Sequence, residues 1–107
     1  MEKKKKVNWS LNAMLMLGEL YEYLEEQMGG FKADEYLDEL MDFGNSLETK
    51  STLHSFCRNK QLQSKGYRCA LFRKKHILIY KIAGNLVTIL GVLHVRRGPE
   101  AFEALME

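Results

Sequence analysis

A chain of 107 residues has room for one domain and a single hydrophobic core. Apolar residues make up 46% and charged residues 28%, with one proline, which excludes a disordered or low-complexity chain. The net charge of +2 falls short of the strongly basic signature of a dedicated nucleic-acid binder.

Lys3–Trp9 reads as a short extended segment, and Ser10 as the N-cap of a helix. Met14, Leu17, Tyr21, Leu24 and Met28 follow at steps of three and four, which lines one helical face. Gly29-Gly30 stops that helix, since two glycines supply the permissive backbone of a chain reversal. A second amphipathic stretch places Ala33, Tyr36, Leu37, Leu40, Gly44 and Leu47 in register. So short a link predicts an antiparallel helical hairpin.

From Glu48 to Lys65 the periodicity fades, with Leu53, Phe56 and Leu62 as isolated anchors, and a loop or irregular turn is expected. After Gly66 the period becomes two. Tyr67, Cys69 and Leu71 alternate with Arg68, Ala70 and Phe72, as in a half-buried strand, and Arg73-Lys74-Lys75 makes a cationic turn. His76–Ile82 is a second strand by its β-branched and aromatic content, and Ala83-Gly84-Asn85 carries the glycine of a tight hairpin. Leu86–Val95 is nearly all apolar, which suits a strand covered on both faces. Arg96-Arg97-Gly98-Pro99-Glu100 then breaks the strand and leads to a short C-terminal helix ending at Leu105.

The expected architecture is an α+β domain spanning residues 1–107, in the order β-α-α-β-β-β. Its helical hairpin packs on one face of a small, mostly antiparallel sheet whose opposite face stays open. Charge divides along it: Glu19 to Glu48 is acid-rich, whereas Arg58 to Arg97 contains no Asp or Glu, so the second half can present a cationic face. Cys57 and Cys69 are too few for a disulfide framework, and Val7-Asn8-Trp9-Ser10 after Lys3–Lys6 is no signal core. Leu86–Leu93, interrupted by Thr88, is too short to span a bilayer. A reduced, cytoplasmic protein without membrane association is expected.

The series Val7-Asn8-Trp9-Ser10, Ala13, Tyr67-Arg68, Leu71-Phe72, His76-Ile77, Ile79-Tyr80, Val87-Thr88-Ile89 and Leu93-His94-x-Arg96-Arg97-x-Pro99 resembles the RelE/ParE superfamily of toxins from bacterial type II toxin–antitoxin systems. Within that superfamily, RelE-like members cut messenger RNA on the ribosome with basic residues and a Tyr or His. ParE-like members instead bind DNA gyrase and poison it. The ending from Leu93 to Glu100 looks more like the ParE branch, and no tyrosine follows Tyr80 to serve as a C-terminal catalytic residue.

The resemblance therefore implies a growth-arresting, plasmid-stabilising gyrase inhibitor neutralised by a cognate antitoxin, with operator DNA reached only through that antitoxin. The alternatives are a RelE-like messenger RNA endonuclease and a non-toxic binding homologue. For the nuclease, His94 is the acid–base candidate and Arg68 the phosphate clamp, because imidazole titrates near neutrality and a guanidinium offers two donors to two oxygens. Against this stand a strand-end histidine bonding a neighbouring carbonyl and a solvated sheet arginine. Arg73, Lys74, Lys75, Lys81, Arg96 and Arg97 are the candidate target-binding residues; Tyr21, Tyr67 and Phe72 are the candidate antitoxin contacts. No cofactor is expected, and no metal: His54, His76 and His94 are dispersed, and the cysteines complete no zinc site.

Overall fold

The computed structural model describes residues 3–96. The expected C-terminal helix, with Arg97 and Pro99, lies outside them. In chain order the elements are β1 (Lys6–Trp9), α1 (Leu11–Met28), α2 (Gly30–Asn45), α3 (Leu47–Lys50), α4 (Lys60–Ser64), β2 (Tyr67–Phe72), β3 (His76–Ala83) and β4 (Leu86–His94). The fold is α+β, with helices packed against a four-stranded, mostly antiparallel open sheet of order β1-β4-β3-β2. β1 joins parallel to β4 at the edge, and the remaining pairings are antiparallel.

Ser10 caps α1 as expected: its Oγ accepts from the Ala13 amide at 3.0 Å. The expected apolar stripe of α1 holds at Leu17, Tyr21, Leu24 and Met28 but starts at Ala13 instead of Met14. Ala13, Leu17 and Leu24 are buried with Leu20 beside them, whereas Met14 is 48% exposed. Gly29, with φ of +84°, separates α1 from α2 in the left-handed region that glycine tolerates. On α2, Ala33, Tyr36, Leu40 and Gly44 face the core. Trp9 stands against Gly44, where any Cβ would run into the indole ring, and its Nε1–H donates to Asn45 Oδ1 at 2.9 Å. The edge strand is thus pinned to the helical layer.

Along β3 the side chains alternate regularly. Leu78 and Tyr80 join the main core under α1 and α2, while Ile79 belongs to a second cluster on the other face. β4 departs from strict alternation. Ile79 pairs with Gly91 but Tyr80 pairs with Ile89, so Leu90 is the extra residue of a β-bulge. Its carbonyl turns to the start of α1 and accepts from Ser10 Oγ at 3.2 Å and Asn12 Nδ2 at 3.3 Å. The extra residue inverts the pleat. Val92 and His94 consequently share the helix-side face with Val87 and Ile89.

Three expectations are corrected. The stretch from Glu48 to Lys65 is not all loop, because it holds α3 and α4, and α4 is capped by Asn59 Oδ1 on the Gln61 and Leu62 amides. The sheet face opposite the hairpin is not fully open either: Leu62 and Cys57 cover Ile79 and Leu93 there. The cysteines are not free thiols. Phe56 bridges to Arg68, the Cys57 amide donates to the Tyr67 carbonyl, and the Cys69 amide donates to the Ser55 carbonyl. That irregular pairing sets the Cα atoms of Cys57 and Cys69 4.9 Å apart, and a disulfide joins them. A pairing made by a segment without periodicity left no trace in the residue pattern.

Candidate functional site

A concavity lies where α1 passes the end of β4. It is a cleft of about 490 Å³. Met16, Glu19, Leu20 and Tyr23 form one wall; His76, Val92, His94 and Arg96 form the other. His94 reaches this place because of the bulge. With an unbroken register from the Ala83–Leu86 pair, His76 would face Leu93; the extra residue sets it opposite His94 instead. The two imidazoles meet edge to face, with ring centres 5.2 Å apart.

His76 is 5% exposed and its Nδ1 lies 2.6 Å from the hydroxyl of Tyr36 on α2. Burial, then the neighbouring His94 and Lys75, hold its pKa down at about 4. It is therefore neutral at pH 7. Burial also raises the Tyr36 phenol, with Arg73 acting in the opposite sense. His94 is half-buried, and its Nδ1 accepts the Arg96 backbone N–H at 3.1 Å. A bond to a backbone amide replaces the carbonyl contact considered from the sequence. The neutral ring then carries its proton on Nε2.

Arg68 does not join His94. Its Nη1 donates to the His54 carbonyl at 2.6 Å, and its guanidinium lies 4.1 Å from the centre of the Phe56 ring. It pairs with Tyr80, four residues along β3 from His76 and one strand further from β4. At the rise of an extended strand, about 3.3 Å per residue, this is roughly 13 Å along the sheet before the lateral offset is added. His54, whose pKa is lowered by burial and by Arg68, packs edge to face on Phe43 and Tyr80.

The other cations are spread around the rim. Arg73 pairs with Glu39 of α2 and stacks over Tyr36 and Phe72. Arg73 and Lys74 form the β2–β3 turn with φ of 51° and 59°, and both are exposed, as is Lys75. Lys81 lies over the Tyr67 ring at 5.5 Å, on the sheet face turned away from the helical hairpin. Arg96 borders the cleft; Arg97 lies outside the described residues.

Of the proposed antitoxin contacts, Phe72 is 8% exposed and packs on Tyr36 and Phe43. Tyr67 lies with the second cluster, and Tyr21 is half-buried on α1, its phenol raised chiefly by a hydrogen bond to Asp34. The Tyr36–His76 pair had no sequence signal, because a helix residue meets a strand residue across the core. Among the described residues no group of His, Cys, Asp or Glu is arranged to hold a metal, and no helix is long and apolar enough to cross a membrane.

Residues 7–99 match the family profile described as the ParE toxin of the type II toxin–antitoxin system, parDE. Among solved structures, the chain is similar to one from the chromosomal ParDE toxin–antitoxin system of P. aeruginosa. The TM-score is 0.72 at 16% identity, over 87% of this chain and 98% of that one. It is also similar to a chain of the RelBE2 toxin–antitoxin complex of Mycobacterium tuberculosis, with a TM-score of 0.64 at 20% identity over 91% of this chain and 98% of the other. No curated protein sequence matches the chain at a significant level.

Proposed function

The chain belongs to the family of ParE toxins of type II toxin–antitoxin systems, and from that membership we propose that it arrests growth by binding DNA gyrase, with a cognate antitoxin holding it inactive. The separation of Arg68 from His94 carries this reading. Metal-free cleavage of RNA needs an acid–base group and a cation within hydrogen-bond reach of one phosphodiester. Here the arginine is tied to the His54 carbonyl and the Phe56 ring, opposite Tyr80 and four residues along β3 from His76. What remains is a rim of exposed cations, Lys74, Lys75, Lys81 and Arg96, suited to docking on a large acidic surface. The reading puts the protein in the cytoplasm, with its target and antitoxin and no membrane; operator DNA is reached only through the antitoxin.

A second reading, a ribosome-dependent messenger RNA endonuclease, draws on one observation: half-buried His94 and exposed Arg96 share the cleft. Two assays on the purified chain separate the two. Supercoiling by gyrase is expected to stop on addition of the toxin while messages on programmed ribosomes stay whole, and Arg96→Glu is expected to weaken inhibition about tenfold. Transcripts cut within codons, with cutting lost in His94→Ala, would transfer the function to the nuclease. Induced expression that leaves growth untouched would overturn both.

A further inference from the structure

The cleft between α1 and the end of β4 is bordered by imidazole donors for which the described residues supply no acceptor. The hydroxyl of buried Tyr36 has a single partner among the described residues, His76 Nδ1. A buried O–H is costly to leave without an acceptor, so the hydroxyl donates and Nδ1 accepts. The proton of neutral His76 therefore sits on Nε2. No described residue accepts from that Nε2–H, and His76, 5% exposed as a residue, lines the cleft. His94 arrives at the same tautomer by a different route, because the Arg96 amide occupies its Nδ1. Two fixed N–H groups thus border one cavity, beside the Arg96 guanidinium, with Leu20 and Val92 as apolar walls.

We propose that this cleft is a peptide-binding pocket in which Nε2–H of His76 and of His94 receive a carboxylate of a partner polypeptide while an adjacent apolar side chain packs on Leu20 and Val92. This rests on the reading that the toxin engages a protein partner, and it deepens that reading by naming the group recognised. A carboxylate accepts from two donors at once, which matches the Nε2–H groups of two imidazoles assisted by one guanidinium. Among the described residues the charges lining the cavity are Arg96 and, on the α1 wall, Glu19, while Lys75 lies close to His76. A nucleic-acid track needs successive cations along a backbone, whereas Arg96 is the one cation among the described residues lining this cleft. One near-neutral, half-apolar pocket suits an acidic–hydrophobic peptide better.

The test follows the imidazole ¹⁵N–¹H resonances of the intact chain at neutral pH. In the free protein both histidines are expected as Nε2–H tautomers; an Nδ1–H signal for His76 would overturn the donor argument. N-acetyl-leucyl-aspartyl amide, titrated to tens of millimolar, is expected to shift both Nε2–H signals saturably. N-acetyl-leucyl-asparaginyl amide should bind at least tenfold more weakly, and the ribodinucleotide ApA should leave the signals in place. His94→Gln and Leu20→Ala are each expected to weaken the aspartyl peptide severalfold. Equal response to the asparaginyl peptide, larger shifts with ApA, or no shift with any probe would each defeat the pocket. A partner complex that forms with both imidazoles unmoved defeats it too, and leaves the protein-partner reading standing. Peptide shifts in a chain that captures neither gyrase nor an antitoxin would support the pocket and remove that reading.

Discussion

The hydroxyl of Tyr36 ends 2.6 Å from Nδ1 of His76, so a residue of the helical hairpin meets a strand imidazole across the core. Burial, then the neighbouring His94 and Lys75, keep His76 neutral. Its acidity makes the fold sensitive to mild acid. Between the ordinary value of 6.5 and about 4, the unfolded chain takes up a proton that the folded chain refuses. Stability therefore falls as pH drops through that window and levels off for this group below about 4. A full shift of this size corresponds to about 3 kcal/mol, and residual solvent access reduces it to roughly 1–2 kcal/mol. Urea melts of the native chain and of His76→Gln between pH 7 and 4 check this: the variant's stability should fall less by that amount. Parallel curves would mean that His76 is not buried in its neutral form.

Gly44 and Gly18 are expected to respond oppositely to alanine. At Gly44 a methyl group meets the Trp9 indole and the end of Ile89, whereas at Gly18 there is nothing within 4 Å. Gly44→Ala should cost about 2–4 kcal/mol through overpacking. Gly18→Ala should stabilise by about 0.5–1 kcal/mol, because alanine is the better helix former on an exposed face. Thermal unfolding reads both, and Trp9→Leu should restore part of the loss in the Gly44→Ala background.

Reduction of the disulfide should weaken the chain without abolishing the fold. Cys57 and Cys69 are separated by 12 positions, and closing a loop of that size contributes about 3 kcal/mol in the chain-entropy account. Cys57 is 1% exposed, so reduction should be slow in native conditions and fast in denaturant. Denaturant melts with and without a thiol reductant measure the difference. The Cys57→Ser/Cys69→Ser chain should be insensitive to the reductant.

Lys74 holds a left-handed backbone, φ 59°, that a lysine adopts at a cost of roughly 1–2 kcal/mol. Lys74→Gly is therefore expected to raise stability by about 0.5–1 kcal/mol. If the exposed cation serves target binding, the more stable variant should also inhibit gyrase severalfold less well. A variant that gains stability at full potency would remove Lys74 from the docking surface.

Much of this molecule was legible from residue order. Ser10, the glycine stop at Gly29 and the period of α2 fix the hairpin, since caps and chain reversals depend on local backbone chemistry. The change to a period of two after Gly66 marks the antiparallel strands, and the charge division places the cations on the second half. The family resemblance rested on this same local order and was correct.

What residue order could not reveal depends on contacts between distant segments. The Leu90 bulge inverts the pleat of β4 and so sends His94 to the face of His76 and Tyr36; one unpaired residue has no signature in a nearly uniform apolar run. The Cys57–Cys69 bond arises from pairing between an aperiodic stretch and β2. Arg68, grouped with His94 by resemblance, is drawn away by the His54 carbonyl and the Phe56 ring. Local propensities are set by each residue and its near neighbours, whereas the registry of strands and the partners of polar side chains are set by the packed whole.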